Sequence, residues 1–369
     1  MFPASLCYEK GKGVTTTSNA LKRVVFGDIF NQLYSIDAGS SHVVLAGDSE
    51  PTILREPCLI SLAPRKVPAP RRATAGAPPP PPQFRVQAIG SAVAAPAPGE
   101  ENGVRWVHPI DHGRIADAEA LELVLRKVVS AAHFNPLRKA LFGLRITWLT
   151  ALHLEQRERM RYEDLLRDFG FNRIRQLDAP VAAARGAGLD TQRSLGQMLI
   201  DLGGGQTTVV VFTLGAIAAW HWAPVGGRDL DSAVAAHVQQ RYRLRLHPAR
   251  AEAIKLALGS VYPRARPEAL DIAGFDTATG VEKKVTLDDT ELRDVLIDAC
   301  EPLVMAIQQS FEGVPPELAA DIAQGEITLV GGASLLAGLP AFLAERTGLQ
   351  YRVADDPINA AIRGALAGA

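Results

Sequence analysis

The chain has 369 residues, 47% hydrophobic and 21% charged, which is globular composition with room for about two or three lobes rather than a disordered or fibrous chain. Lys+Arg 39 against Asp+Glu 40 leaves a net charge of −1, which excludes a strongly basic nucleic-acid-binding surface. The three cysteines (Cys7, Cys58, Cys300) lie far apart, excluding a disulfide framework or zinc ribbon and fitting a reducing cytosol.

In chain order, residues 1–20 carry Glu9, Lys10 and Lys12 and no apolar core of a secretory leader. Leu21 to Leu33 places Phe26, Ile29, Phe30 and Leu33 at helical spacing behind Lys22 and Arg23. That stripe suits a short amphipathic helix on an anionic bilayer, or one packed on the protein's own core. Ser35 to Ser41 reads as a strand running into a turn, followed by Val43-Val44-Leu45. Residues 64–83, with five consecutive prolines (Pro78 to Pro82), form an extended insert, since proline fits neither a helix interior nor a central strand.

Helices are expected over Asp117–Ala132, Glu155–Phe169, Asp229–Tyr242, Pro248–Leu258 and Leu287–Phe311. Strands are expected at Leu144–Leu149, at Leu199-Ile200 and at Ile327–Val330. Between Asp201 and Arg228 there is no Asp, Glu, Lys or Arg. The glycines and Pro224 there argue against a membrane span and for two buried strands, Val209–Phe212 and Ala216–Trp222. Strands alternating with helices indicate an α/β fold.

Two segments repeat one pattern: Ile36-Asp37-Ala38-Gly39-Ser40-Ser41 and Ile200-Asp201-Leu202-Gly203-Gly204-Gly205. Each is apolar strand, Asp, x, Gly, then a returning strand. Glycine lets backbone N–H groups approach an anion, and an Asp at the strand end can hold a hydrated Mg²⁺ bridging phosphates. A third element, Leu329-Val330-Gly331-Gly332-Ala333-Ser334, can admit a base or ribose close to the backbone. Together the three turns point to a nucleotide cleft between two related lobes.

The chain resembles the actin and sugar-kinase superfamily, and more closely the MreB-type bacterial actins. The resemblance rests on Met198 through Gly205, Val225-Gly-Gly-Arg-Asp, Ala253-Ile-Lys255, Gly259-Ser-Val-Tyr-Pro263, Pro315 to Ile322, Val330 to Gly338, Pro180 to Leu189 and Gly113 to Asp117. It implies an actin-like two-lobed α/β fold of two ribonuclease-H-like domains around a nucleotide cleft. Residues 1–34 would be an N-terminal extension, 35–180 lobe I with its proline-rich insert, and 181–369 lobe II, with a closing helix returning to lobe I. Implied cofactors are ATP or ADP with Mg²⁺, the metal held through water by Asp37 and Asp201. Asp37, Gly39, Ser40, Ser41 and His42 would form the first phosphate turn, and Asp201, Gly203, Gly204, Gly205, Gln206 and Thr207 the second, with Gly226 and Gly227 beyond it. Glu252 and Lys255, one helical turn apart, would line the ribose side, and Gly331, Gly332, Ala333 and Ser334 the adenine side.

The departures from the family fall on the chemistry. MreB-type proteins carry a Glu just before the proline of Leu177-Asp178-Ala179-Pro180, where this chain has Ala179. Gln206 replaces a Thr after the triple glycine, and the first turn reads DAGSSHV in place of a Thr-Ala-Asn-Thr run. Losing a water-positioning group typically costs ~10²–10⁴-fold, so weak or absent ATPase activity is expected, with Asp178 or Gln206 as substitute catalytic residues.

The resemblance also assigns membrane contact to Val25, Phe26, Ile29 and Phe30, and to Leu141 and Phe142 in a basic loop. The function it implies is a cytoplasmic cytoskeletal protein, peripheral at the inner membrane, whose filaments organise cell-wall synthesis and cell shape. Its partners would be itself or another MreB-type protein and membrane proteins of cell-wall synthesis, with no nucleic acid. The alternatives are a non-polymerising pseudo-actin that regulates a true MreB filament, and a superfamily sugar kinase.

Overall fold

The structure is a computed structural model that describes residues 33–48, 50–64, 84–93, 104–132, 134 and 143–368. The expected membrane residues Val25, Phe26, Ile29, Phe30, Leu141 and Phe142, and all of the proline-rich insert after Pro64, lie outside the described residues.

Strands β1 (Tyr34–Ala38), β2 (His42–Gly47) and β3 (Glu50–Pro57) form an antiparallel meander. A small sheet follows, made of β4 (Ile60–Pro64), β5 (Phe84–Ile89) and β6 (Arg105–Val107) in the order β5-β4-β6. The hairpin β7 (Ile110–Asp111) and β8 (Arg114–Ile115) leads to helix α1 (Ala118–Ala131). Asp117 caps α1 by accepting the Ala120 N–H at 2.9 Å, and Leu121, Val124, Leu125 and Val128 form its buried face. Then β9 (Leu144–Thr150), α2 (Gln156–Asp168) and β10 (Phe171–Asp178) extend the first sheet in parallel, giving the order β10-β9-β1-β2-β3.

After α3 (Ala179–Gly186) the same topology is built again. The meander is β11 (Gln197–Leu202), β12 (Thr207–Thr213) and β13 (Ala216–Ala223). Helix α4 (Gly227–Tyr242), strand β14 (Leu244–Arg245) and helix α5 (Pro248–Leu258) come next. Strands β15 (Ala269–Asp276) and β16 (Glu282–Asp288) pair with β14 in a second small sheet, followed by α6 (Asp289–Ser310) and α7 (Pro316–Gln324). Strand β17 (Glu326–Val330), helix α8 (Leu339–Thr347) and strand β18 (Gln350–Val353) complete the second sheet, β13-β12-β11-β17-β18, and α9 (Ala360–Ala367) closes the chain. In each five-stranded sheet a central strand (β1, β11) pairs antiparallel with the next strand and parallel with a later one. The repeat of the two Asp-x-Gly turns is therefore a repeat of whole lobes.

Each lobe has its own core. Ile36, Leu45, Leu121, Ile146 and Trp148 centre the first, and Ile200, Val234, Leu292, Leu296 and Leu329 the second. The lobes are joined by α3 and α9, which cross at the closest approach. A Cβ on Gly364 would stand 1.8 Å from the Ala182 carbonyl oxygen, and one on Gly186 would stand 1.8 Å from that of Ala360, so only glycine fits at either point. The expected lobe boundary at 180/181 falls inside α3.

The helix expected from Leu287 to Phe311 is shorter. Leu287 and Asp288 end strand β16, and Asp288 caps α6 by accepting the Glu291 N–H at 2.8 Å. Among the described residues no helix is long and apolar enough to cross a membrane.

Candidate functional site

The turn after β1 and the turn after β11 face each other across the gap between the lobes. Their approach is close: a Cβ on Gly204 would lie 2.3 Å from Ser41 Cβ, and one on Gly205 would lie 2.9 Å from Ser40 Oγ. Around and beneath them is a cavity of about 380 Å³, within the usual range for small-molecule sites. It is lined by Asp37, Gly39, Ser40, Ser41 and His42 from the first turn and by Asp201, Gly203, Gly204, Gly205 and Gln206 from the second. Gly227, Glu252, Lys255, Gly331, Gly332 and Ala333 complete the set the sequence points to.

Three expected residues do not line it. Thr207 is buried and donates its hydroxyl to the Val225 carbonyl at 2.7 Å. Gly226 packs behind the second turn, where a Cβ would stand 2.6 Å from the Gln206 nitrogen. Ser334 is buried and turns its hydroxyl to the Gly331 carbonyl at 2.6 Å. Ser40 lines the cavity, but its hydroxyl oxygen accepts the Gly113 N–H at 3.0 Å.

Asp37 and Asp201 sit at the strand ends, partly buried in the floor. Burial raises Asp37 to about 6, against a smaller lowering by Arg55. Burial raises Asp201 to about 7, and the neighbouring charge of Asp37 adds to it. Two partly buried carboxylates that repel each other are a site short of positive charge, and their oxygens suit a hard cation such as hydrated Mg²⁺. Among the described residues no group of three or more His, Cys, Asp or Glu side chains is set to ligate a metal directly.

Lys255 does not pair with Glu252, its neighbour on α5. Its ammonium meets Asp231 Oδ1 at 2.8 Å and donates to the Gly227 carbonyl at 3.0 Å, and all three residues line the cavity. Burial lifts Asp231 to about 6, and Lys255 opposes the rise. Arg55 of β3 also faces the cavity and donates to Asn359 Oδ1 at 2.8 Å, tying lobe I to the residue before α9. Asp231 and Arg55 were not readable as site residues. Each meets its partner through tertiary contact, and no local spacing marks it.

Of the two substitute catalytic residues, Asp178 is misplaced. Its carboxylate accepts from Thr150 at 3.2 Å and faces Arg159 at 3.8 Å, outside the cavity, while its neighbour Ala179 does line the wall. Gln206 lines the cavity, but its Oε1 accepts the indole N–H of Trp222 at 3.1 Å. Trp222 in turn stacks on His153 with ring centroids 4.6 Å apart. At the far side of the gap, Trp106 of β6 meets His247, before α5, edge to face at 4.8 Å, so the two small sheets' surroundings also touch.

The profile of the family described as MreB/Mbl protein matches residues 32–368. The chain belongs to the MreB/Mbl family. Its fold is accordingly the actin-like α/β fold of two lobes. The cell shape-determining protein MreB of Escherichia coli (strain K12) is 29% identical over 339 residues, covering 92% of this chain and 93% of the relative. The cell shape-determining protein Mbl of Bacillus subtilis (strain 168) is 26% identical over 332 residues, covering 90% and 93%. Among solved structures, MreB5 of Spiroplasma citri bound to AMPPNP superposes with a TM-score of 0.78 at 24% identity, covering 91% of this chain and 95% of that one. The MamK double helical filament does so at 0.69 and 17% identity, covering 91% and 98%. As an MreB/Mbl protein the chain is a bacterial actin-like cytoskeletal protein, and the sugar-kinase alternative falls away.

Proposed function

We propose that this MreB/Mbl chain binds ATP or ADP with Mg²⁺ in the interlobe cavity, polymerises in the nucleotide-bound state, and hydrolyses ATP slowly. The observation that carries the reading is the facing pair of Asp-x-Gly turns over the partly buried Asp37 and Asp201, in one cavity with Glu252, Lys255 and the Gly331 turn. Support comes from the relatives: MreB5 is crystallised with AMPPNP and with ADP, MreB and Mbl are named cell shape-determining proteins, and MamK forms a double helical filament.

The backbone N–H groups of the two turns would cradle phosphates, and Asp37 and Asp201 would hold the metal through its waters. When bound, Mg²⁺ supplies positive charge against the phosphates and the two partly buried carboxylates. Lys255, fixed by Asp231, would bring its charge to the ribose side.

Slow turnover follows from what surrounds the phosphate end. Ala179 presents a methyl group where the family carries a carboxylate. Gln206 commits one lone pair of its amide oxygen to Trp222, and its neutral amide can orient a water but cannot take a proton from it.

Membrane attachment through Val25, Phe26, Ile29 and Phe30, with Leu141 and Phe142 as a second apolar contact, belongs to the same proposal, as does a place beside membrane proteins of cell-wall synthesis. One observation favours a second reading, a non-polymerising regulator of another MreB filament: the cavity wall lacks a carboxylate at Ala179. Electron microscopy with ATP and Mg²⁺ separates the two. Filaments from the chain alone support the first reading. Filaments only on mixing with a conventional MreB, with this chain in them, support the second.

A further inference from the structure

Through its backbone and side chain together, Arg228 is bonded to both phosphate turns and to the hairpin beside them. It lies in the first turn of α4, and its own backbone N–H donates to the Gly204 carbonyl at 2.7 Å, while Gly227 N–H donates to Gly203 at 3.0 Å. The start of α4 is thereby fastened to the second turn. The guanidinium then leaves its lobe. Nη1 donates to the carbonyls of Ser40 at 2.9 Å and Ile110 at 2.8 Å, and Nη2 donates to Asp111 Oδ1 at 2.6 Å. All three acceptors belong to the first lobe: Ser40 to the first turn, Ile110 and Asp111 to β7. Next to it His112 sits 3.1 Å from Asp111 and 3.5 Å from Asp229 of α4, a second link across the gap. Ser40 is tied back to the same hairpin through Gly113.

We propose that Arg228 is a positioning residue that latches the two phosphate turns in register, and that breaking its hydrogen bonds to the first lobe is the step that limits nucleotide release. The proposal rests on the reading of the cavity as a nucleotide site. While Arg228 holds Ser40 through its guanidinium and Gly204 through its backbone N–H, the two turns stay closed over a nucleotide between them. Contacts present only in the closed arrangement stabilise that arrangement, so they slow opening and leave capture by the open form largely unaffected. Arginine suits the task because its planar fork serves three acceptors at once. A lysine ammonium at the same place is a point charge with shorter reach and cannot reproduce the fork.

The test is stopped-flow release of a fluorescent ATP analogue, chased with unlabelled ATP in Mg²⁺, for the wild type, Arg228→Ala, Arg228→Lys, Asp111→Ala and the double variant Arg228→Ala/Asp111→Ala. Release should be about tenfold or more faster in Arg228→Ala, equivalent to about 1.4 kcal/mol. The association rate should hold within about twofold, Arg228→Lys should restore less than half of the difference on a logarithmic scale, and the double variant should be no faster than Arg228→Ala. Asp111 is half exposed, so Asp111→Ala keeps the fold and should show a smaller acceleration of the same sign. In the nucleotide-free chain, amide hydrogen exchange over residues 110–113 and 203–206 should rise in Arg228→Ala while β9 and β11 stay protected. Unchanged release in both Arg228→Ala and Asp111→Ala overturns the latch, and so does exchange that rises equally in β9 and β11, which is plain destabilisation. If the folded wild type binds no nucleotide, the functional reading fails and the release step with it. The exchange arm then decides alone whether the cross-lobe latch exists.

Discussion

Putting the missing carboxylate back tests the account of slow hydrolysis. Ala179 is the first residue of α3, partly exposed, and lines the cavity wall beside the first turn. A Glu there stands at a helix N-terminus, where the helix dipole favours a negative charge by about 0.3–1 kcal/mol, so Ala179→Glu should cost little stability. Its carboxylate supplies the basic acceptor that the neutral amide of Gln206 cannot offer. A positioned water-orienting group is worth about 10²–10⁴-fold, or roughly 2.7–5.4 kcal/mol of barrier at 1.36 kcal/mol per decade. The assay is phosphate release at saturating ATP and Mg²⁺, with analogue affinity and thermal melting measured on the same preparations. Ala179→Glu should turn over at least about a hundredfold faster than the wild type with affinity unchanged. A folded, ATP-bound Ala179→Glu protein whose rate stays within twofold of the wild type would refute the reasoning, because the missing carboxylate would then not be what limits hydrolysis.

Three other perturbations read the fold, the pH response and the membrane. Gly364→Val puts a side chain where the Ala182 carbonyl already stands, so α3 and α9 must separate, and chemical denaturation should show a loss of about 3 kcal/mol or more; native stability in that variant would contradict the tight crossing. Burial, helped by Arg228's charge, lowers His108 from 6.5 to about 4. The unfolded chain therefore takes up a proton between those values that the folded chain refuses. The contribution of His108 is whole above pH 6.5 and is lost as pH falls towards 4, by up to ~3 kcal/mol, so His108→Gln should flatten the acid limb of the stability curve, and equal slopes for both proteins would speak against it. Phe26→Asp with Phe30→Asp should abolish co-sedimentation with anionic liposomes, and unchanged binding would remove the N-terminal segment from the membrane proposal.

The parts of the fold that were legible in the sequence are those where burial writes an unbroken local signal. The uncharged run from Leu202 to Gly227 contains the buried β12 and also β13, which was expected to be buried but alternates exposed with half-buried residues, and the apolar stripe Leu121, Val124, Leu125, Val128 gave α1 almost to the residue. Strands rich in charged residues were not legible. β16 reads EKKVTLD, five of its seven residues charged or polar, and its end was absorbed into the helix that follows. β3 carries Arg55 and Glu56 between prolines. At the site, the two turns were found because Asp-x-Gly is a local pattern. The ion pair of Lys255 with Asp231 and the span of Arg228 to Asp111 join residues 24 and 117 positions apart, which only the closed fold brings together. Asp178 shows the converse error. It is adjacent in sequence to a wall residue, yet its side chain leaves the strand end on the other side, towards Thr150 and Arg159.

The central claim is that the interlobe cavity is a nucleotide site with Asp201 at its floor. Equilibrium titration of a fluorescent ATP analogue into the folded chain, in Mg²⁺ and again after chelation, tests it most directly, with Asp201→Asn and Lys255→Ala alongside. The account predicts one saturable site for the wild type, weakened at least about tenfold by chelation and by each substitution while the melting temperature of the ligand-free proteins stays close to wild type. No saturable binding by the folded wild type, or affinities indifferent to Asp201 and Lys255, would contradict it.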